Sequence, residues 1–155
     1  MFYRTRRFVL TTLGTLVLAC NVHAAQKFKI LADPSLPDIA AVSYPPGEDP
    51  VILFNPALCK QAGEALCTFY RYHEYGHIAL RHNERDDLSL QEKERQADQW
   101  AARHAPLTSV VAAYRFFLSG GGSTPVHGSG ASRAARMEER GKSVVLLAAS
   151  LPVPR

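Results

Sequence analysis

The chain has 155 residues and a formal net charge of +4. Residues 1–24 contain three of the arginines and no acidic residue, so the remaining chain, with 15 basic and 14 acidic residues, is almost neutral. No basic tract interleaved with aromatic residues is present, and this balance argues against nucleic acid as a partner. A mature part of about 130 residues suits one domain with a single modest core.

The N-terminal residues predict export. Three arginines precede an apolar run at residues 8–19 that is too short to span a bilayer, and Ala24 ends a small-residue cleavage site. We therefore expect a signal peptide at 1–24 and one periplasmic or secreted domain at 25–155, without a transmembrane segment in the mature chain. Alternatively, the residues before Cys20 resemble a lipobox, and Cys20 would then anchor an envelope lipoprotein.

Residues 27–54 predict a small sheet, for which antiparallel pairing is one option. Residues 39–44 and 51–54 are short β-branched segments, and the Pro- and Gly-rich stretch between them is typical of a turn. We expect the strand at 51–54 to be an edge strand that could hold an extended peptide by strand addition.

Two cysteines, Cys59 and Cys67, remain after cleavage, and an oxidising compartment favours a disulfide between them. Eight residues on one straight helix rise about 12 Å, whereas bridged Cα atoms lie within about 7 Å. The pair can therefore bridge only if the chain turns, and Gly63 is placed to allow that turn. The alternative is two unpaired buried thiols.

Local signals predict five helices after the sheet. Asn55 and Pro56 are typical of an N-cap and a first helical residue, and Ser89 with Glu92 forms a capping-box pattern. The predicted helices span residues 56–62, 64–81, 89–104, 108–118 and 133–140. A Gly-rich loop is expected from 120 to 132, and residues 143–151 form an apolar strand, helix or tail.

The pattern HExxH at residues 73–77 lies within the second predicted helix. Residues i and i+4 share a helical face, so His73 and His77 can bind one ion while Glu74 lies beside it. This arrangement is typical of a hydrolase that binds one Zn²⁺, in which Glu74 is the general base for a zinc-activated water. A five-residue pattern also arises by chance, and the fold would then bind no metal.

A third ligand is expected because catalytic zinc usually has three from the protein. Glu94 lies on the next predicted helix, which a short connection packs antiparallel to the HExxH helix. Asp98, one turn later, could accept the free N–H of a ligating imidazole. The alternative is that Glu94 belongs to a solvated charged face. His82 is expected to be a surface or helix-end residue.

These residues resemble the gluzincin zinc metallopeptidases. Residues 73–82, HEYGHIALRH, resemble the active-site helix of the HtpX-type peptidases, whose Glu ligand usually lies much further downstream. Residues 94–106, ERQADQWAARHAP, resemble the ImmA/IrrE-type peptidases, which are typically cytoplasmic. The branch stays open. The metzincin pattern is excluded because Leu80 and Asn83 replace its Gly and His.

The resemblance implies two more site residues. HtpX-type peptidases often have a His-Pro pair and an Arg six residues after that His, and His127 and Arg133 have this spacing, although Gly128 replaces the Pro. Either residue could donate to the oxyanion of a tetrahedral intermediate, or His127 could fill the open zinc position in a resting state. The alternative is that His127 is a polar residue of a Gly- and Ser-rich loop.

Together these features predict a small α+β, zincin-like domain with a short sheet packed on the HExxH helix and a second helix that bears Glu94. Its expected activity is zinc-dependent hydrolysis of peptide bonds in a protein or peptide substrate. The alternative is a zinc-stabilised, catalytically weak binding or assembly-factor module of the cell envelope, because a small domain has few residues for a substrate groove. The presence of Glu74 favours the enzyme.

Overall fold

The structure is a computed structural model that describes residues 27–138 together with 146, 149 and 150. The predicted signal peptide, Cys20 and most of the segment 143–151 lie outside the described residues. Within the described part, no helix has both the length and the apolar character needed to cross a membrane.

Three short strands precede five α-helices in the described chain, which confirms the predicted α+β class. The strands are β1 (Lys29–Ala32), β2 (Ala40–Ser43) and β3 (Val51–Phe54). The helices are α1 (Pro56–Ala62), α2 (Glu64–Ala79), α3 (Leu90–His104), α4 (Leu107–Leu118) and α5 (Gly130–Glu138), with one turn of 3₁₀ helix at His82–Glu84 between α2 and α3.

The sheet differs from the prediction in two ways: it has a third strand, β1, and β3 lies at its centre. Its order is β1-β3-β2, with β3 parallel to β1 and antiparallel to β2. The prediction that β3 is an edge strand is therefore wrong, because β1 pairs with the side of β3 that was expected to be free. All four residues of β1 are exposed, so they lack the alternation of buried and exposed positions that marks a strand in a sequence. The edges are β1 and β2, and β2 packs against α2.

The break between α1 and α2 creates the disulfide. The side chain of Asn55 accepts two N–H bonds from the first turn of α1, and Gly63, at φ 84°, ends that helix and begins the next. A φ in this range favours glycine. The turn brings the Cα atoms of Cys59 and Cys67 to 5.0 Å, and the two residues form a disulfide. The predicted bridge is confirmed, and the alternative of two free thiols is wrong.

The main core lies among α2, α3, α4 and α5. Phe69 of α2 and Phe117 of α4 are fully buried and meet edge to face, with ring centroids 5.9 Å apart. Leu118, the next residue of α4 after Phe117, points away from this core and is 58% exposed. The core fixes the first half of α2, and the second half of this helix leads to the polar site.

Candidate metal centre

The site lies where the second half of α2 faces α3. A Cβ atom added at Gly76 would be 3.2 Å from the backbone of Ala97, so the two helices approach closely at these small residues. On α2, His73 and His77 lie three residues before and one residue after Gly76. On α3, Glu94 and Asp98 have the same positions relative to Ala97. These four side chains therefore lie opposite one another across the two helices.

Three potential ligand residues converge at this place. His73 Nε2 is 2.9 Å from Glu94 Oε2 and 3.2 Å from His77 Nε2, and His77 Nε2 is 3.5 Å from Glu94 Oε1. A tetrahedral zinc with ligand distances of about 2.0–2.2 Å separates its ligands by about 3.4 Å. The triangle therefore has the right size for one small cation, and it is the single such cluster that the described residues contain.

The donor set also fits a cation. His73 is 1% exposed, and its Nδ1 is 2.8 Å from Asp98 Oδ1, so Nδ1–H donates to the carboxylate and Nε2 faces the cluster. Burial lowers the pKa of His73, but the hydrogen bonds to Asp98 and Glu94 outweigh it and raise this pKa to about 10. The carboxylates that stabilise a proton on His73 would stabilise a metal ion at Nε2 for the same electrostatic reason.

Asp98 is fully buried and accepts four hydrogen bonds. Besides His73, it accepts from Arg133 Nη2 at 2.7 Å, Arg133 Nε at 3.0 Å and Arg136 Nη1 at 2.6 Å. Burial opposes ionisation, but His73 and the arginines hold the pKa of Asp98 well below its ordinary value. A carboxylate offers about four acceptor positions, so Asp98 is saturated. It orients His73 and has no position left for the ion.

Arg133 lies behind the cluster. It is 1% exposed, its Nη1 donates to the carbonyl of Gly122 at 3.2 Å, and its guanidinium is 4.2 Å from the ring centroid of Phe117. Helix α5 begins at Gly130, before the predicted start at 133, and directs this side chain inward. This placement does not support donation to an oxyanion. Arg133 instead supports Asp98.

Glu74 lies beside the ligand triangle and outside it. Its side chain is buried, and its Oε2 accepts the backbone N–H of Val42 in β2 at 2.9 Å. Burial raises the pKa of Glu74, although His73 and His77 oppose the change. A raised pKa brings a carboxylate closer to the range in which a general base works near neutral pH.

Tyr44 is a residue that sequence reasoning missed. Its hydroxyl oxygen is buried and has no hydrogen-bond partner in the described structure. Burial, and next the charge of Glu74, raise the pKa of Tyr44 to about 12, so the phenol stays protonated at neutral pH. As the last residue of a predicted strand, Tyr44 had no sequence signal that linked it to Glu74.

His127 lies at the site, in contact with a ligand. Its Nε2 is 3.0 Å from Glu94 Oε2, its Nδ1 is 2.8 Å from Thr124 Oγ1, and its ring centroid is 5.6 Å from that of His73. The pKa of Glu94 is lowered because hydrogen bonds from His127 and His73 outweigh burial. The structure brings His127 to the metal centre, while its role as an oxyanion donor or zinc ligand stays a prediction.

His82 differs most from its prediction. It follows the end of α2, as expected, but it is only 3% exposed. Arg81, at φ 54°, turns the chain so that His82 lies 2.9 Å (Nδ1 to Nδ1) from His77. Its Nε2 is 3.2 Å from Gln96 Oε1, and burial lowers its pKa. Its separation of five residues from His77 does not match the helical period, so the contact was not predicted.

Comparisons with known proteins gave no match: no protein-family model fits the chain, and neither a curated protein nor a solved structure is significantly similar to it. The resemblance of residues 73–82 and 94–106 to gluzincin peptidases therefore stays a prediction. The function proposed next rests on the geometry of the site.

Proposed function

We propose that this domain is an exported zinc metallopeptidase that hydrolyses peptide bonds. The observation that supports this most strongly is the position of Glu74. It is a buried carboxylate, held by Val42 beside three converging ligand atoms but not among them. A purely structural zinc needs no such base, and structural sites are usually closed by four protein ligands.

Each residue has a distinct role in this proposal. His73, His77 and Glu94 would hold Zn²⁺. The bound ion would polarise the substrate carbonyl and lower the pKa of water. Glu74 would accept the proton of the attacking water, and its raised pKa suits that transfer. The unpartnered hydroxyl of Tyr44 would donate to the negative charge that develops on the carbonyl oxygen.

The edge of β2 that faces away from β3, on either side of the Val42 N–H that Glu74 accepts, is the proposed place for an extended substrate. Val42 pairs with Ile52 of β3 on one side, and its N–H points to Glu74 on the other. A peptide that added to this edge would pass next to the proposed base. Strand addition supplies main-chain hydrogen bonds with little demand on sequence, so this proposal moves the predicted peptide site from β3 to β2.

Export is part of the proposal. The disulfide Cys59–Cys67 is compatible with an oxidising compartment. Residues 1–24 would direct the chain to the periplasm or the medium, or Cys20 would anchor it to the envelope.

One observation favours the alternative of a zinc-stabilised binding or assembly-factor module. His127 lies 3.0 Å from Glu94, close enough that a small loop movement would bring it to the fourth zinc position. A site closed in this way would be structural.

The test compares the zinc-loaded mature domain with Glu74→Gln on a mixture of unfolded proteins. Glutamine keeps an oxygen that can accept the Val42 N–H but is not a base, so we expect equal zinc content and a loss of cleavage of about 10²–10⁴-fold. Glu64→Gln, the same change at an exposed position of the same helix, is the matched control. A parent that binds one zinc and cleaves nothing would support the binding module.

A further inference from the structure

We propose that His82 and Gln96 are positioning residues that fix the tautomer of His77 and thereby raise the affinity of the site for zinc. This inference rests on the metal site of the proposed function, and it does not depend on turnover. It follows from a chain of hydrogen bonds that begins on α3 and ends at the ligand.

The first step sets the orientation of Gln96. Its Nε2 donates to Glu92 Oε1 at 2.7 Å, and Arg95 holds the same carboxylate through two bonds of 2.6 and 2.8 Å. An ionised carboxylate only accepts hydrogen bonds. The amide nitrogen must therefore face Glu92, and the amide oxygen must face His82.

The second step sets the proton of His82. Gln96 Oε1 lies 3.2 Å from His82 Nε2 and can only accept, so this nitrogen carries the hydrogen. A neutral imidazole has one donor and one acceptor. His82 is 3% exposed, and its ring contacts the amide of Gln96 and the ring of His77. Its Nδ1 is therefore the acceptor.

The third step reaches the ligand. His77 Nδ1 is 2.9 Å from His82 Nδ1 and must donate to it. His77 Nε2 then presents its lone pair to the cluster, 3.2 Å from His73 Nε2. The two ligands are thus oriented by different means. The charged Asp98 orients His73, whereas the neutral His82 orients His77.

Residues that hydrogen-bond to a ligating histidine typically contribute about 10–100-fold to metal affinity. Loss of the relay would let the proton of His77 move to Nε2, where it competes with the ion. We therefore expect His82→Phe and Gln96→Leu to weaken zinc binding by about 10–100-fold in competition with a chromogenic chelator. His82→Gln, which restores an acceptor oxygen, should recover part of this loss. His104→Phe, at an exposed histidine whose Nδ1 is 2.7 Å from the Trp100 carbonyl, is the matched control.

A second measurement uses the parent alone and covers the case in which a variant fails to fold. Nitrogen-15 NMR of the zinc-free protein should show His77 protonated at Nδ1 and unprotonated at Nε2. The opposite tautomer would overturn the proposal, as would folded His82→Phe and Gln96→Leu variants that bind zinc as tightly as the parent. Both measurements are independent of peptide cleavage, so a domain without activity would contradict the proposed function and leave this result unchanged.

Discussion

The two halves of α2 bury the same helical face for different purposes. Leu66, Phe69 and Tyr70 pack into the apolar core, and the next two turns of this face present His73 and His77 to a polar cluster. The helical spacing is the same in both halves, so the difference between them lies in the residues that each half packs against. The first half meets Phe117 and other apolar residues of α4, whereas the second half meets carboxylates on α3. A site is held most accurately on a rigid element, and here the apolar half anchors the helix that presents the ligands.

Loss of Arg133 should have the largest combined effect, because it should lower both the free energy of unfolding and the affinity for zinc. Arg133→Met leaves the buried Asp98 without its bidentate partner, and breaking such a pair costs about 3–5 kcal/mol in the free energy of unfolding. Arg136→Met, at a side chain that is 15% exposed, should cost less. Urea unfolding of the zinc-free proteins measures the stability, and chelator competition measures the affinity. Equal stability of the parent and Arg133→Met would contradict the role given to Asp98.

A change in the apolar half should separate the two properties. Phe69→Ala removes a fully buried ring that contacts Phe117, so we expect a loss of about 3–5 kcal/mol in the free energy of unfolding. The zinc affinity of the folded fraction should stay within a few-fold of the parent. Zinc titration under conditions in which the variant is folded tests this. A large fall in affinity would mean that the two halves of α2 do not behave as separate regions.

The smallest effect on stability is expected at Tyr44. Tyr44→Phe removes a buried hydroxyl that has no partner in the described structure, so the free energy of unfolding should stay equal or rise by up to about 1 kcal/mol. Peptide cleavage should nevertheless fall, because the proposed donor to the carbonyl oxygen is lost. Parallel thermal unfolding and activity assays decide this. Unchanged cleavage would assign Tyr44 to packing alone.

Local sequence signals predicted the elements that carry the site. The break at Gly63, the N-cap at Asn55 and the N-cap at Ser89 all lie where expected, because capping depends on side chains within one turn of the helix end. The same signals failed for β1, whose four exposed residues have no pattern of their own. These residues form a strand because they pair in parallel with β3.

The ligand triangle was predictable because it depends on helical spacing and on a short connection between two helices. His73, His77 and Glu94 meet for that reason, and Asp98 follows one turn later. The places of Arg133 and His82 were not predictable. The position of Arg133 depends on where α5 begins and packs, and the position of His82 depends on the left-handed backbone of Arg81. The first depends on the packing of distant elements, and the second on a backbone conformation that a residue other than glycine rarely adopts.

The helices, their caps and the disulfide could be predicted because each follows from interactions between residues close in the chain. The three ligand residues could be predicted because helical spacing and a short connection between two helices bring them together. The packing of the folded chain determines which strand is central, that Arg133 supports Asp98 and that His82 contacts His77. These features depend on how separate elements pack. A buried polar group needs a partner wherever the fold supplies one, and the identity of that partner is a property of the assembled domain.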